Sequence, residues 1–184
     1  MKALGATGFS VLVTGLLLRP PMGFIPWRDE FRGFMSFDQL AYATIGSVAA
    51  DGNWGFVEPF TETGRSFYPS MWYRLLGLIS NTFDLPIFAV WSVMGLSVIL
   101  VAVLVVGVLA YAVSGRWWLP ALVGPMLWIG PLSMVAFNSW FISADSHATL
   151  WAPYAMLYPL NAEAAGISLS VIAFAFMIWA GAHG

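Results

Sequence analysis

The sequence predicts an all-α fold, a polytopic transmembrane helical bundle, and three observations carry that expectation. Of its 184 residues 60% are hydrophobic and 9% charged, with a mean hydropathy of +0.81, against roughly 45–50% apolar and 25% charged for a soluble domain. The charges, 7 basic and 9 acidic, are segregated: only Lys2, Arg116, Asp145 and Glu163 lie outside residues 19–84. The remainder consists of long uncharged runs, the pattern of one polar loop among membrane spans. A formal net charge of −2 with no basic run gives no reason to expect a nucleic-acid partner. The absence of cysteine excludes thiol catalysis and Cys-ligated metal sites.

The first span is expected at 3–18, an uncharged run behind Lys2. It gives about 24 Å of helix, slightly short for a hydrocarbon core of roughly 30 Å. Arg19-Pro20-Pro21 follows it in place of a small-x-small cleavage site, so a retained span is expected over a cleaved signal peptide. The run 85–113 is uncharged, gives about 43 Å of helix and must tilt or emerge from the lipid. Its Val, Ile and Leu content predicts lipid on all sides. A third span is expected at 117–137, where Pro120, Pro125 and Pro131 kink the helix and free backbone carbonyls. Residues 146–162, interrupted by Pro153 and Pro159, read as a short span or a re-entrant segment, and 164–182 as the last span. The expected total is four or five spans. Lys2 and Arg116, the basic residues of the short flanks, fall on one side if the first two long runs each cross once. That side is then cytoplasmic and the 19–84 loop external, in the cell membrane. The chain stops within a few residues of its last span, and it reads as a single transmembrane domain forming the N-terminal part of a larger module.

Within the loop, Ser36-Phe37-Asp38-Gln39 has the form of a capping box, with Met35 and Leu40 placed as a hydrophobic staple. A helix is expected to start at Phe37 and end near Asp51-Gly52. It would lie along the membrane surface on the face of Phe37, Leu40, Ala41, Thr44 and Val48. Asp38 then sits in the first turn beside the positive end of the dipole, with Tyr42 one turn further along. A carboxylate there can coordinate a cation or accept a proton from a sugar hydroxyl. It can equally do no more than complement the dipole.

From Asp38 the chain reads Asp38-Gln39-x-x-Tyr42-Ala43, then Gly52-Asn53-Trp54, then Ser66-Phe67-Tyr68-Pro69-Ser70-Met71-Trp72-Tyr73-Arg74. In order and spacing this resembles the first external loop of the GT-C superfamily, in its protein mannosyltransferase and aminoarabinose transferase branch. The Tyr68-Pro69-x-x-Trp72 form is also similar to mycobacterial-type arabinofuranosyltransferases, a weaker likeness. The resemblance spans roughly residues 1–160. It implies a membrane glycosyltransferase that moves a sugar from a polyprenyl-phosphate donor to a glycan, lipid or protein acceptor on the external face. It makes Asp38 the counterpart of the catalytic aspartate and Asp145 that of a second acidic position, and it places Trp54 and Trp72 in the matched loop. Gln39 stands where the mannosyltransferase branch has Glu, and Tyr68 where the aminoarabinose branch has a phosphate-binding Lys. The cofactor left open is a divalent cation, Mg or Mn, bound by Asp38, Asp145 and His147; no nucleotide cofactor is expected, as no glycine-rich phosphate loop is present.

Other residues carry weaker signals. Arg65 and Arg74 could hold a donor phosphate bidentately, or act as interfacial anchors. Asp29-Glu30, flanked by Arg28 and Arg32, reads as a locally neutralised pair. Asp145-Ser146-His147 could share a metal only in an extended or turning backbone; otherwise Asp145 is a helix N-cap. Asn138, Glu58 and Glu62 are polar groups without a specific pattern, and most of the tryptophans are expected as interfacial belts. Two other functions fit a polytopic chain. A transporter or flippase subunit would carry ionisable residues within its spans, of which there are almost none; a non-catalytic scaffold or assembly subunit would not need them.

Overall fold

The structure, a computed structural model, describes residues 1–18, 36–53, 71–126 and 162–183. Six helices occupy them: α1 (Lys2–Leu18), α2 (Ser36–Ala50), α3 (Met71–Phe83), α4 (Ile87–Ser114), α5 (Pro120–Met126) and α6 (Ala162–His183). There is no strand among the described residues.

Helix α4 is the axis of the bundle, touching each of the other five helices. Pro86 precedes it with φ −56° and ψ 132°, and the Pro86 carbonyl accepts from the N–H groups of Ala89 and Val90, so the ring's missing donor costs the first turn nothing. The helix stops at Gly115, whose φ of 65° needs no Cβ clearance and whose N–H reaches Tyr111 O at 2.8 Å. Its 28 residues give about 42 Å. The expectation of lipid on all sides of this run is corrected. Trp91, Gly95, Ile99, Ala102, Val103 and Gly107, one or two to each turn, form a buried stripe, while Val101, Leu104 and Val108 are exposed. Composition could not show the stripe, because its residues are as apolar as the exposed ones.

Helix α1 lies antiparallel to α4: Gly15 faces Leu100, and Thr7 faces Gly107. Its sides are inverted relative to a soluble helix. Thr7, Ser10 and Thr14 are buried, whereas Leu4, Phe9, Leu12 and Leu16 are exposed. The hydroxyls are satisfied locally, Thr7 donating to Ala3 O at 3.0 Å and Thr14 to Ser10 O at 2.8 Å; Ser10 Oγ accepts from the Gly124 N–H of α5. Helix α6 follows the same rule, with Ala164, Ala165, Ser168 and Ala175 inside and Phe174, Phe176, Met177 and Ile178 outside. It runs parallel to α4, since Ala162 lies by Tyr73 and Trp91 while Ala175 to Trp179 lie by Leu104 to Leu109.

Two helices, Ile87–Ser114 and Ala164–Ala182, are long and apolar enough to cross a bilayer, and Lys2–Leu16 is a shorter apolar helix. The four or five expected spans are therefore represented by two such helices among the described residues. Of the expected span 117–137, the described part is a turn followed by the seven-residue α5, which contains Pro125. The expected segment 146–162 lies outside the described residues except for Ala162, which opens α6.

Candidate functional site

The loop expected to carry the chemistry contributes α2 and α3. Helix α2 begins at Ser36, one residue before the expected start, and ends where expected. Gly52, at φ 86°, donates to Ala49 O and Asn53 donates to Val48 O, the paired bonds of a Schellman termination. The side chains of Ser36, Asp38 and Gln39 lie outside the described residues, so the capping box is not described; the backbone of Asp38 is in the first turn of α2.

Helices α2 and α3 run parallel in a fixed register. Tyr42 stacks on Tyr73, Gly46 O lies against Gly77, and Asn81 donates to Ala50 O; the partners in each pair are 31 residues apart. Small residues make the approach possible. A Cβ on Gly77 would stand 2.3 Å from Gly46 O, 2.8 Å from Ala49 Cβ and 2.9 Å from Ala50 N. The face that α2 buries is thus Ala43, Gly46 and Ala49, together with Ile45, while Thr44 and Val48 of the expected membrane face are half-buried. Parallel alignment puts the N-terminal turns of α2 and α3, with their unsatisfied N–H groups and positive dipole ends, at one end of the pair. In this register Asp38 lies one to two turns before the level of Arg74.

Tyr73 is the centre of the region. Its ring stacks between Tyr42 at 4.9 Å, with 11° between planes, and Trp91 at 5.2 Å, with 26°. Its hydroxyl accepts from the Ala162 N–H at 3.2 Å, satisfying one of the free donors that open α6. One side chain therefore ties α2, α3, α4 and α6 together. It lies inside the matched stretch but was not singled out as a site residue. The available signal was the three- and four-residue spacing of Tyr73, Leu76 and Ser80, all buried, against exposed Met71, Leu75 and Leu78.

Of the expected site residues, Tyr42 and Trp72 pack against the Tyr73 cluster, and Arg74 follows Tyr73 in α3. Arg74 is 6% exposed and engaged within the fold. Trp72 is half-buried against the Tyr73 cluster. Its indole N–H is the buried side-chain donor without a hydrogen-bond partner among the described residues. Trp54, Arg65, Asp145 and His147 lie outside the described residues, as do Asp29, Glu30, Glu58, Glu62 and Asn138. Among the described residues no three His, Asp or Glu side chains converge on a point where a metal could bind.

At its other end the bundle is different in kind. Lys2 Nζ stands 5.7 Å from the Trp117 ring centre and the Arg116 guanidinium 5.9 Å from that of Trp118. The two basic flank residues thus share one end of the antiparallel α1/α4 pair. No family model, no curated protein and no solved structure matches the chain.

Proposed function

We propose that the chain is the membrane-embedded part of a glycosyltransferase that moves a sugar from a polyprenyl-phosphate donor to an acceptor at the external membrane face. The observation that carries this reading is the ordered run of motifs from Asp38 to Arg74, with its resemblance to the GT-C loop. A membrane placement is supported by the inverted helices, whose small and hydroxyl side chains face inward and whose Leu, Phe and Val face outward. Helices associating in lipid have this distribution, because close backbone approach and hydrogen bonding, and not apolar burial, drive their packing. The presence of Lys2 and Arg116 at one end supports a cytoplasmic placement of that end. The α2/α3 N-terminal turns, at the opposite end of α4, are then external.

In this reading Asp38 accepts the proton of the acceptor hydroxyl or holds a divalent cation, with Asp145 assisting, and cationic side chains stabilise the departing lipid phosphate. Arg74 and Arg65 are the arginines assigned to that phosphate. Trp72 has a buried indole N–H without a partner among the described residues, a donor suited to a substrate hydroxyl or phosphate oxygen. Tyr42 is assigned to shaping the pocket through its stack on Tyr73.

The test is acceptor-dependent transfer from a polyprenyl-phosphate sugar by the full-length protein in detergent or vesicles. Asp38→Asn is expected to lower kcat by about 10²–10⁴-fold, the usual contribution of a general base, with Asp145→Asn also impaired. Trp72→Phe is expected to raise KM by about two- to tenfold, the equivalent of one hydrogen bond. Transfer at the wild-type rate by Asp38→Asn would remove the assignment.

A further inference from the structure

The cytoplasmic end of the bundle holds a cleft that the proposed transfer does not use. It encloses about 550 Å³ between the first turns of α1 and the last turns of α4, and is lined by Lys2, Leu4, Thr7, Val108, Tyr111 and Trp117, with Gly115 at its edge. Clefts of roughly 300–1,000 Å³ are the size that holds small ligands. Its chemistry is graded along the bundle axis. Lys2, Tyr111 and Trp117 lie at the end of the bundle, while Thr7 and Val108 lie a turn or more toward its middle.

The cations here have aromatic faces as neighbours and no carboxylate at this end among the described residues. Lys2 is paired with Trp117 and Arg116 with Trp118. Asp38, Asp51, Asp84 and Glu163 all belong to the opposite end, beside the start of α4 or of helices that begin level with it. A cation–π contact at an exposed site contributes only about 0.5–1 kcal/mol and leaves the full positive charge in place. Lys2 lines this cleft beside the amino terminus of Met1, and Arg116 stands in the chain between two of its lining residues, Gly115 and Trp117; cations beside a seam with an apolar floor match one ligand chemistry, a phosphate diester with a hydrocarbon chain attached.

We propose that this cleft binds an anionic glycerophospholipid. Lys2 and Arg116 hold its phosphate, Trp117 and Trp118 flank the headgroup, and an acyl chain follows the α1/α4 seam past Leu4 and Val108. This inference rests on the membrane placement given above and is independent of the transfer chemistry. A lipid seated there would also hold the amino-terminal turn of α1 against the α4 terminus.

Native mass spectrometry of the full chain tests it, after purification from an equimolar mixture of phosphatidylglycerol and phosphatidylcholine. Wild-type protein is expected to retain phosphatidylglycerol in about thirtyfold excess, the equivalent of two basic residues at about 1 kcal/mol each. Lys2→Gln with Arg116→Gln should bring the ratio to parity. The charge-keeping pair Lys2→Arg with Arg116→Lys should preserve the excess, which separates loss of charge from loss of fold. Millimolar glycerol phosphate should fail to displace the lipid; displacement would identify a soluble-phosphate site and overturn the proposal. Equal retention by the wild type, or an unchanged ratio in the double Gln variant, would overturn it too. Release of the chain from membranes by alkaline carbonate would refute the membrane placement itself, a separate outcome from a membrane-bound chain with no lipid preference.

Discussion

Two seams in this molecule close on glycine, and they are sealed differently. Between α2 and α3, Gly77 sits against Gly46 O and Ala50 N, and above it Tyr42, Tyr73 and Trp91 stack in series. Where α1 meets α5, Gly124 sits against Ser10 O, Ser10 Oγ and Thr14 Oγ1. The first seam gains its cohesion from large polarisable surfaces held in fixed geometry; the second relies on hydroxyls that satisfy backbone groups at close range. An aromatic stack fixes the positions of several helices at once, which suits a region assigned to bind substrate. Hydroxyl contacts let two helices meet closely while leaving their large apolar side chains for the surroundings.

The largest effect on this comparison is expected from Tyr73→Ala. It removes both stacking contacts and the Ala162 bond, and should destabilise the detergent-solubilised protein by about 3–5 kcal/mol, read from denaturant unfolding. Gly77→Ala comes next. The atoms that its Cβ would meet are mostly backbone, so little can yield, and a loss of about 1–3 kcal/mol is expected by the same measurement. Gly107→Ala meets instead the Thr7 Cγ2 methyl at 2.9 Å. Its cost should fall when combined with Thr7→Ala, giving a coupling of about 0.5 kcal/mol or more in a double-mutant cycle; strict additivity would show that Thr7 is not the obstacle. Tyr73→Phe keeps the stack and loses only the hydroxyl, for about 0.5–1.5 kcal/mol, and hydrogen exchange at the start of α6 should increase. Gly15→Ala, with its nearest neighbour Leu100 at an ordinary 3.8 Å, should change stability by less than about 0.5 kcal/mol, the range of a substitution that disturbs no packing.

The two seams were unequally legible in the sequence. The bounds of α2 could be read from Ser36 and from Asp51-Gly52, because a helix end is a local hydrogen-bonding problem that neighbouring residues solve. The ends of α4 are set in the same way, by Pro86 and Gly115, close to the limits of the uncharged run 85–113. What could not be read was which face of each helix turns inward. Periodicity finds a face by its contrast in polarity, and in α4 the buried Ile99 and the exposed Leu104 have none. In α1 the contrast exists but is reversed, with Thr7, Ser10 and Thr14 inside.

The candidate site divides along a similar line. Motif order points to Asp38, Tyr42, Trp72 and Arg74, and of these Tyr42 and Trp72 pack against the Tyr73 cluster at the start of α3. Tyr73 was overlooked because its importance is long-range: Tyr42, Trp91 and Ala162 are all distant from it in sequence. Arg74, which the sequence offers either as a phosphate ligand or as an interfacial anchor, is buried on α3.

The sequence by itself determined the helical class, the segregation of charge into one loop and the stop at Gly52, since composition and local hydrogen bonding suffice for each. Only the tertiary structure decided that α2 and α3 run parallel, that Tyr73 joins four helices, and that Lys2 and Arg116 meet tryptophans at one end. The physical reason is that helix direction and contact depend on close approach at a few small residues, Gly46, Gly77, Gly107 and Gly124. A missing Cβ has meaning only when the atom that would meet it is known.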